Sequence, residues 1–230
     1  MDTKKVLLLV GSPKKEHSTS NSIGQYMVMN FKKADYISRT IYVYNSLKSE
    51  SGCKDMVNCF NESNIIILSY PLYVDSLPAD CIKALKYIKE ERSKADCSIS
   101  QIFLSVGNCG FYEKDQLQNS LNICKFFAQE NNLKWYGGIP VGGGPQLQGK
   151  DLLGLGDMTR NLRAALDIVC RSILNAADIP MDKVGKLTNL PEPRFVYSFI
   201  ANLSFKNAAK KNGVFKNIND KPYILQINKG

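Results

Sequence analysis

Lys5-Val6-Leu7-Leu8-Leu9-Val10-Gly11-Ser12-Pro13 decides the fold class, because its apolar run has no polar alternation and stops abruptly at a glycine. A strand with one wet face alternates apolar and polar residues, whereas a strand covered on both faces of a parallel sheet stays apolar throughout. Asn64-Ile65-Ile66-Ile67-Leu68-Ser69 repeats the signature. Both runs fall far short of the roughly 20 apolar residues that a bilayer-spanning helix needs, so no stable membrane insertion is expected.

Outward from the first run, a stretch rich in Ser and Asn leads to Ile23, Tyr26, Met27 and Phe31 at helical spacing. This predicts a helix starting near Ser20 to Ser22 with a hydroxyl N-cap. Further strands are predicted at 39–44, 64–69, 98–106 and 133–141. Further helices are predicted at 53–60, 78–91, 113–131 and 159–177, the last with Leu162, Leu166, Val169 and Ile173 on one face. Five strands alternating with five helices predict a doubly wound α/β fold: a five-stranded parallel sheet with right-handed crossovers, covered on both faces in three α/β/α layers. Ligands in such sheets bind at the carboxyl ends of strands, where the strand order reverses. The loops that follow strands are therefore where function is sought.

At 230 residues the chain is long for one α/β domain and short for two. Past Ile179, Pro180, Pro191 and Pro193 interrupt helix formation, which divides the chain into a domain at 1–179 and a C-terminal extension at 180–230. Within the extension Phe195, Phe199, Ile200, Leu203 and Phe205 are expected on one helix face, with Lys206, Lys210 and Lys211 at the C-terminal end, where cations favour the helix dipole. Packing on the domain or on a dimer mate is the expected role, although basic amphipathic helices also lie on membrane surfaces. Seven cysteines (Cys53, Cys59, Cys81, Cys97, Cys109, Cys124 and Cys170) without a CxxC pair read as reduced thiols and not as a disulfide framework or metal-ligand set. The formal charge of +9 is spread along the chain and enriched only after residue 182, which reads as a solvated or phosphate-attracting surface and not as a nucleic-acid interface. No signal-peptide pattern opens the sequence, so a cytoplasmic location is expected.

Three strand-end loops carry chemistry. The first, residues 11–22, is crowded with Ser, Thr and Asn before a helix, where unpaired backbone N–H groups and the helix dipole suit a phosphate. An N-cap loop without a ligand has the same composition. Gly11-Ser12-Pro13 is not a GxGxxG fingerprint, and Gly144-Pro145-Gln146-Leu147-Gln148-Gly149-Lys150 lacks the P-loop hydroxyl because Asp151 follows the lysine. Gly142 to Gly144 and Pro145 read as a mobile loop after the fifth strand. The second loop, residues 69–79, offers Tyr and Leu side chains to a planar apolar ligand before a helix starting at Pro78. The third, residues 107–113, combines glycines that admit close approach with Phe111 and Tyr112.

Gly11-Ser12-Pro13 with Ser20-Asn21-Ser22, the run Pro71-Leu72-Tyr73-Val74-Asp75-Ser76-Leu77-Pro78-Ala79, and Gly107-Asn108-Cys109-Gly110-Phe111-Tyr112-Glu113 together resemble the NAD(P)H-dependent FMN reductase and quinone reductase branch of the flavodoxin-like superfamily. The resemblance covers residues 4–178. It implies FMN with its phosphate on Ser12, Pro13, Ser18, Ser20, Asn21 and Ser22, and its ring edge against Pro71, Leu72, Tyr73, Val74 and Asp75 and against Gly107, Asn108, Cys109, Gly110 and Tyr112. It also implies NADH or NADPH as donor, a small-molecule acceptor such as a quinone, and a homodimer whose neighbouring subunit completes the site. Hydride is then expected to pass from nicotinamide C4 to flavin N5 without a catalytic side chain, the N–H groups of Asn108 to Gly110 stabilising charge on the reduced ring. His17 is expected in solvent or at the phosphate. Tyr73 and Tyr112 either stack on the ring or pack on the surface, and Cys109 either tunes the ring or is incidental. The alternative is a flavodoxin-like electron carrier without direct NAD(P)H turnover, although the Thr-containing loop of short-chain flavodoxins is not matched.

Overall fold

The computed structural model describes residues 4–94, 99–188 and 194–221. Cys97, the expected strand start at Ser98, and Pro191 and Pro193 lie outside them. The first unit, Met1–Asn189, runs β1 (Lys5–Val10), a 3-10 turn (Lys15–His17), α1 (Thr19–Lys32), β2 (Ile37–Tyr42), α2 (Val43–Ser46), α3 (Glu50–Glu62), β3 (Ile65–Pro71), α4 (Ala79–Arg92) and β4 (Ile102–Asn108). It continues through α5 (Gln118–Glu130), β5 (Lys134–Val141), α6 (Arg160–Leu174) and α7 (Met181–Leu187). The second unit, Leu190–Gly230, contains α8 (Arg194–Lys211) and a 3-10 turn at Phe215–Asn217.

All five strands are parallel and ordered β2-β1-β3-β4-β5. This is the flavodoxin-like order, with its reversal between β1 and β3. Successive strand residues point to opposite faces, so each apolar run feeds two cores. Leu7, Leu9, Ile66, Leu68, Tyr70 and Phe103 face one side, with Met56 and Phe60 of α3, Leu85 of α4 and Phe127 of α5. Val6, Leu8, Val10, Ile65, Ile67, Leu104 and Val106 face the other, with Ile23, Met27 and Phe31 of α1 and Leu162, Leu166, Val169 and Ile173 of α6. Because Val6 through Val10 are each within 1% of complete burial, the absence of polar alternation in that run has its explanation: neither face of β1 meets water.

Several boundaries differ from expectation: α3 starts at Glu50 and not at 53, β4 at Ile102, α5 at Gln118 and not at 113, and α2 is not among the expected elements. β2 ends at Tyr42, which pairs with Val10, the last residue of β1; with no partner strand beyond that point the chain turns into α2. The N-cap of α1 is Ser18, in extended conformation, whose Oγ accepts from the Asn21 N–H at 3.0 Å. Ser20, Asn21 and Ser22 therefore sit inside the first turn. The first unit also takes in α7 beyond residue 179: Val184 is buried in the second core, and the Lys114 Nζ donates to the Gly185 and Thr188 oxygens. Among the described residues, no helix is long and apolar enough to cross a membrane.

Candidate functional site

Ends of β1, β3 and β4 open on one edge of the sheet at the reversal of strand order, and their loops enclose a cleft of about 480 Å3. That volume falls within the range of about 300–1,000 Å3 used for small ligands. The first loop and the start of α1 contribute Ser12, Lys14, His17, Ser18, Thr19 and Ser20; the second loop contributes Pro71, Leu72 and Tyr73; the third contributes Asn108, Cys109 and Gly110. A fourth segment, Gly144, Pro145, Gln148 and Gly149, closes the remaining side.

One end of the cleft suits an anion. Ser18 uses its hydroxyl as cap, accepting from the Asn21 N–H and donating to the Lys15 carbonyl at 2.5 Å. The first-turn N–H groups of Thr19 and Ser20, and that of Ser12 after β1, find no acceptor among the described residues. Such orphan donors carry the positive end of the helix dipole. Lys14 stands beside them, and among the described residues no Asp or Glu belongs to the cleft lining. Asn21 and Ser22 turn away: the Asn21 Nδ2 donates to the Glu16 carbonyl at 3.1 Å and the Ser22 Oγ to the Ser18 carbonyl at 3.2 Å.

Ser20 ties the start of α1 to the ends of β3 and β4. Its hydroxyl accepts from the Asn108 Nδ2 at 2.8 Å, its carbonyl accepts from the Ser69 Oγ at 2.7 Å, and the same Asn108 amide donates to the Tyr70 carbonyl at 2.9 Å. All four residues are buried, so these bonds hold the loops in register in a medium where an unmade bond costs about 1–3 kcal/mol.

The opposite end is apolar. Pro71, Leu72 and Tyr73 form a wall that turns back through a tight bend, with Tyr73 and Ser76 exchanging two backbone hydrogen bonds of 3.0 and 3.1 Å. Val74 and Asp75 occupy the two left-handed positions of that bend, at φ 48° and 57°, and Val74 is 98% exposed. A β-branched residue is unfavourable there. Both lie at the hairpin tip, outside the cleft lining. Cys109 is buried, and that burial raises its thiol pKa; it is a neutral thiol at physiological pH and not a nucleophile. The Cys109 N–H donates to the Val141 carbonyl at 3.0 Å. The expectation that this amide points at a ligand is therefore corrected: the β4–β5 ladder runs one residue past the strand end and consumes it.

The fourth segment is held against the first loop. The Thr19 Oγ1 donates to the Gly144 carbonyl at 3.0 Å. Gly149 has φ +68°, and a Cβ there would lie 2.3 Å from the His17 carbonyl oxygen. Gly149→Ala is expected to destabilise the first unit by at least about 2 kcal/mol, combining a left-handed alanine with a backbone collision. A urea midpoint unchanged from the parent would refute that packing.

Of the residues singled out from the sequence, the cleft gathers Ser12, His17, Ser18, Ser20, Pro71, Leu72, Tyr73, Asn108, Cys109 and Gly110. Pro13, Asn21, Ser22, Val74, Asp75, Gly107 and Tyr112 are not in its lining. Gly107 is small for a different reason: a Cβ there would lie 2.6 Å from Leu117 and 3.1 Å from the Tyr70 hydroxyl, so the space serves packing beneath the sheet. Sequence reasoning missed Lys14, Thr19, Gly144, Pro145, Gln148 and Gly149. The glycine-rich composition after β5 was the available signal for the last four, but only the fold brings that turn back to α1.

No protein-family model matches the sequence, and no curated protein matches it significantly. Solved structures do resemble it. An apo NADH:FMN oxidoreductase superposes with TM-score 0.59 at 14% identity, over 84% of this chain and 97% of that one. An NAD(P)H:quinone oxidoreductase from Methanothermobacter marburgensis gives 0.53 at 13%, over 76% and 100%. An FMN-dependent NADH-azoreductase from Bacillus anthracis, in complex with FMN, gives 0.50 at 12%, over 76% and 100%. At such identities the likeness establishes the flavodoxin-like fold.

Proposed function

We propose that the chain is an FMN-dependent oxidoreductase that takes electrons from NADH or NADPH and passes them to a small acceptor such as a quinone. The observation that carries this reading is the polarity of the cleft: three unengaged backbone donors with Lys14 and no carboxylate at one end, and a wall of Pro71, Leu72 and Tyr73 at the other. A phosphorylated, planar aromatic cofactor has that same division. The structures the chain resembles, an NADH:FMN oxidoreductase, an FMN-dependent NADH-azoreductase and an NAD(P)H:quinone oxidoreductase, support the choice of cofactor and donor.

FMN, when bound, supplies a two-electron acceptor for hydride from a reduced nicotinamide. The chain's own residues bind and orient. The N–H groups of Ser12, Thr19 and Ser20 would take the phosphate oxygens, and Lys14 would offset their charge. Pro71, Leu72 and Tyr73 on one side and Gly110 and Pro145 on another would hold the plane of the ring and exclude water from it. Cys109, kept protonated by burial, would present a neutral, polarizable group and move no proton. A homodimer in the cytoplasm belongs to the same reading.

The test is an absorbance spectrum after incubation with FMN and desalting, followed by anaerobic titration with NADH and with NADPH. Flavin bands that persist and bleach with either nucleotide are the expected result. Bands that bleach only with dithionite would replace the reductase with an electron carrier. Loss of all flavin on desalting would remove FMN as the resident cofactor.

A further inference from the structure

The second unit differs in chemistry from the first. Residues 190–230 hold seven Lys and Arg against two Asp and Glu, a formal +5 of the chain's +9. No residue of α8 is buried. Phe195, Phe199 and Phe205 are 74%, 70% and 70% exposed, and Ile200, Leu203, Val214, Phe215 and Ile218 add further exposed apolar surface. Phe195, Phe199 and Leu203 follow one another at i, i+4 spacing, so they form one line along the helix, flanked by Ile200. Lys206 and Lys210 continue that line toward the C-terminus, while Phe205 falls on the opposite flank, which corrects the expectation of a single apolar face. Contiguous exposed apolar surface of this kind marks an interaction site.

We propose that this unit binds the surface of an anionic phospholipid membrane, with the aromatic and aliphatic side chains entering the headgroup boundary and the lysines pairing with lipid phosphates and carboxylates. Charge selects this occupant. A second copy of the unit would bring +5 against +5, and the remainder of the chain is itself net positive at +4, so neither complements it. An anionic lipid leaflet does, at about 1 kcal/mol per basic side chain near the surface. Side-chain chemistry separates lipid from single-stranded nucleic acid, because Ile200, Leu203, Val214 and Ile218 offer nothing for bases to stack on, whereas aliphatic and Phe side chains both partition into the acyl boundary. The contact is peripheral, since α8 is not apolar enough to span a bilayer. It does not depend on what the cleft of the first unit binds.

The full-length protein is sedimented with vesicles of phosphatidylcholine alone and of equal parts phosphatidylcholine and phosphatidylserine. Binding is expected to the mixed vesicles, not to the neutral ones, and is expected to be lost at about 1 M salt, where the screening length is about 3 Å. The triple variant K206Q/K210Q/K211Q is expected to weaken binding on the order of a hundredfold, and F195S/F199S/L203S by at least about tenfold, both with the thermal melting curve of the parent. Equal binding to neutral vesicles, or none to anionic ones, would overturn the proposal. So would a native mass that halves in F195S/F199S/L203S, which would seat the face on a second copy, or a preference for single-stranded RNA over the mixed vesicles.

Discussion

Thr19→Pro is expected to weaken FMN binding about tenfold to a hundredfold while leaving α1 in place. Thr19 is the first helical residue, the one position where proline is favoured because its missing N–H has no intrahelical acceptor. Ser18 before it has φ −104° and ψ 149°, the extended conformation that a following proline requires. The substitution thus removes one of the proposed phosphate donors with little disturbance to the helix. A charge-assisted hydrogen bond is worth about 1.5–3 kcal/mol, which sets the expected range. The hydroxyl that reaches Gly144 is lost as well, so Thr19→Val, which keeps the N–H, is the control and should stay close to the parent. Quenching of flavin fluorescence during titration measures both. If Thr19→Pro and Thr19→Val weakened binding equally, the amide would have no part in holding the phosphate.

Alkaline unfolding should be the largest stability effect in the molecule. Cys81, Cys124 and Cys170 are within 1% of complete burial, and desolvation pushes all three thiols up, Cys124 to about 12. A thiol whose pKa is higher in the folded chain than in the unfolded one binds its proton more tightly when folded. Its contribution is complete below the unfolded value of about 8.5 and is lost as pH rises from there toward the folded value. Each group then removes about 1.4 kcal/mol per pH unit. Two units into that window the three together cost about 8 kcal/mol, comparable to the whole stability of a typical domain, about 5–15 kcal/mol. Urea midpoints should be flat from pH 7 to about 8.5 and fall steeply above it, and Cys170→Ala should make the fall shallower. A flat profile to pH 11 would mean that these thiols ionise as readily in the folded protein as in the unfolded chain.

The division of labour between sequence and fold is visible at particular residues. Val6 to Val10 and Ile65 to Leu68 announce buried parallel strands because period-2 alternation vanishes only when both faces are dry, and the loops that follow them are then confined to one sheet edge. Pairing of β2 was less legible. An edge strand such as Ile37–Tyr42 has polar and apolar residues in a mixed pattern, and its end is set by where β1 stops.

Within the cleft, composition brought the first three loops to attention, but not which groups in them are free. Hydroxyls crowd residues 18–22, yet Ser18 and Ser22 bond to nearby backbone and Ser20 is bound up with Ser69 and Asn108. The unengaged donors are backbone N–H groups, which every residue but proline carries and which no residue type signals. The Cys109 amide is consumed by a strand far away in sequence. Local sequence alone determined the fold class, the parallel sheet and the edge on which the cleft opens, because hydrophobic periodicity and turn chemistry are short-range. Only the tertiary structure decided which amides stay free and that Gly144 to Gly149 complete the wall, because both depend on contacts such as Gly149 against His17 and Thr19 with Gly144, between segments more than a hundred residues apart in the chain.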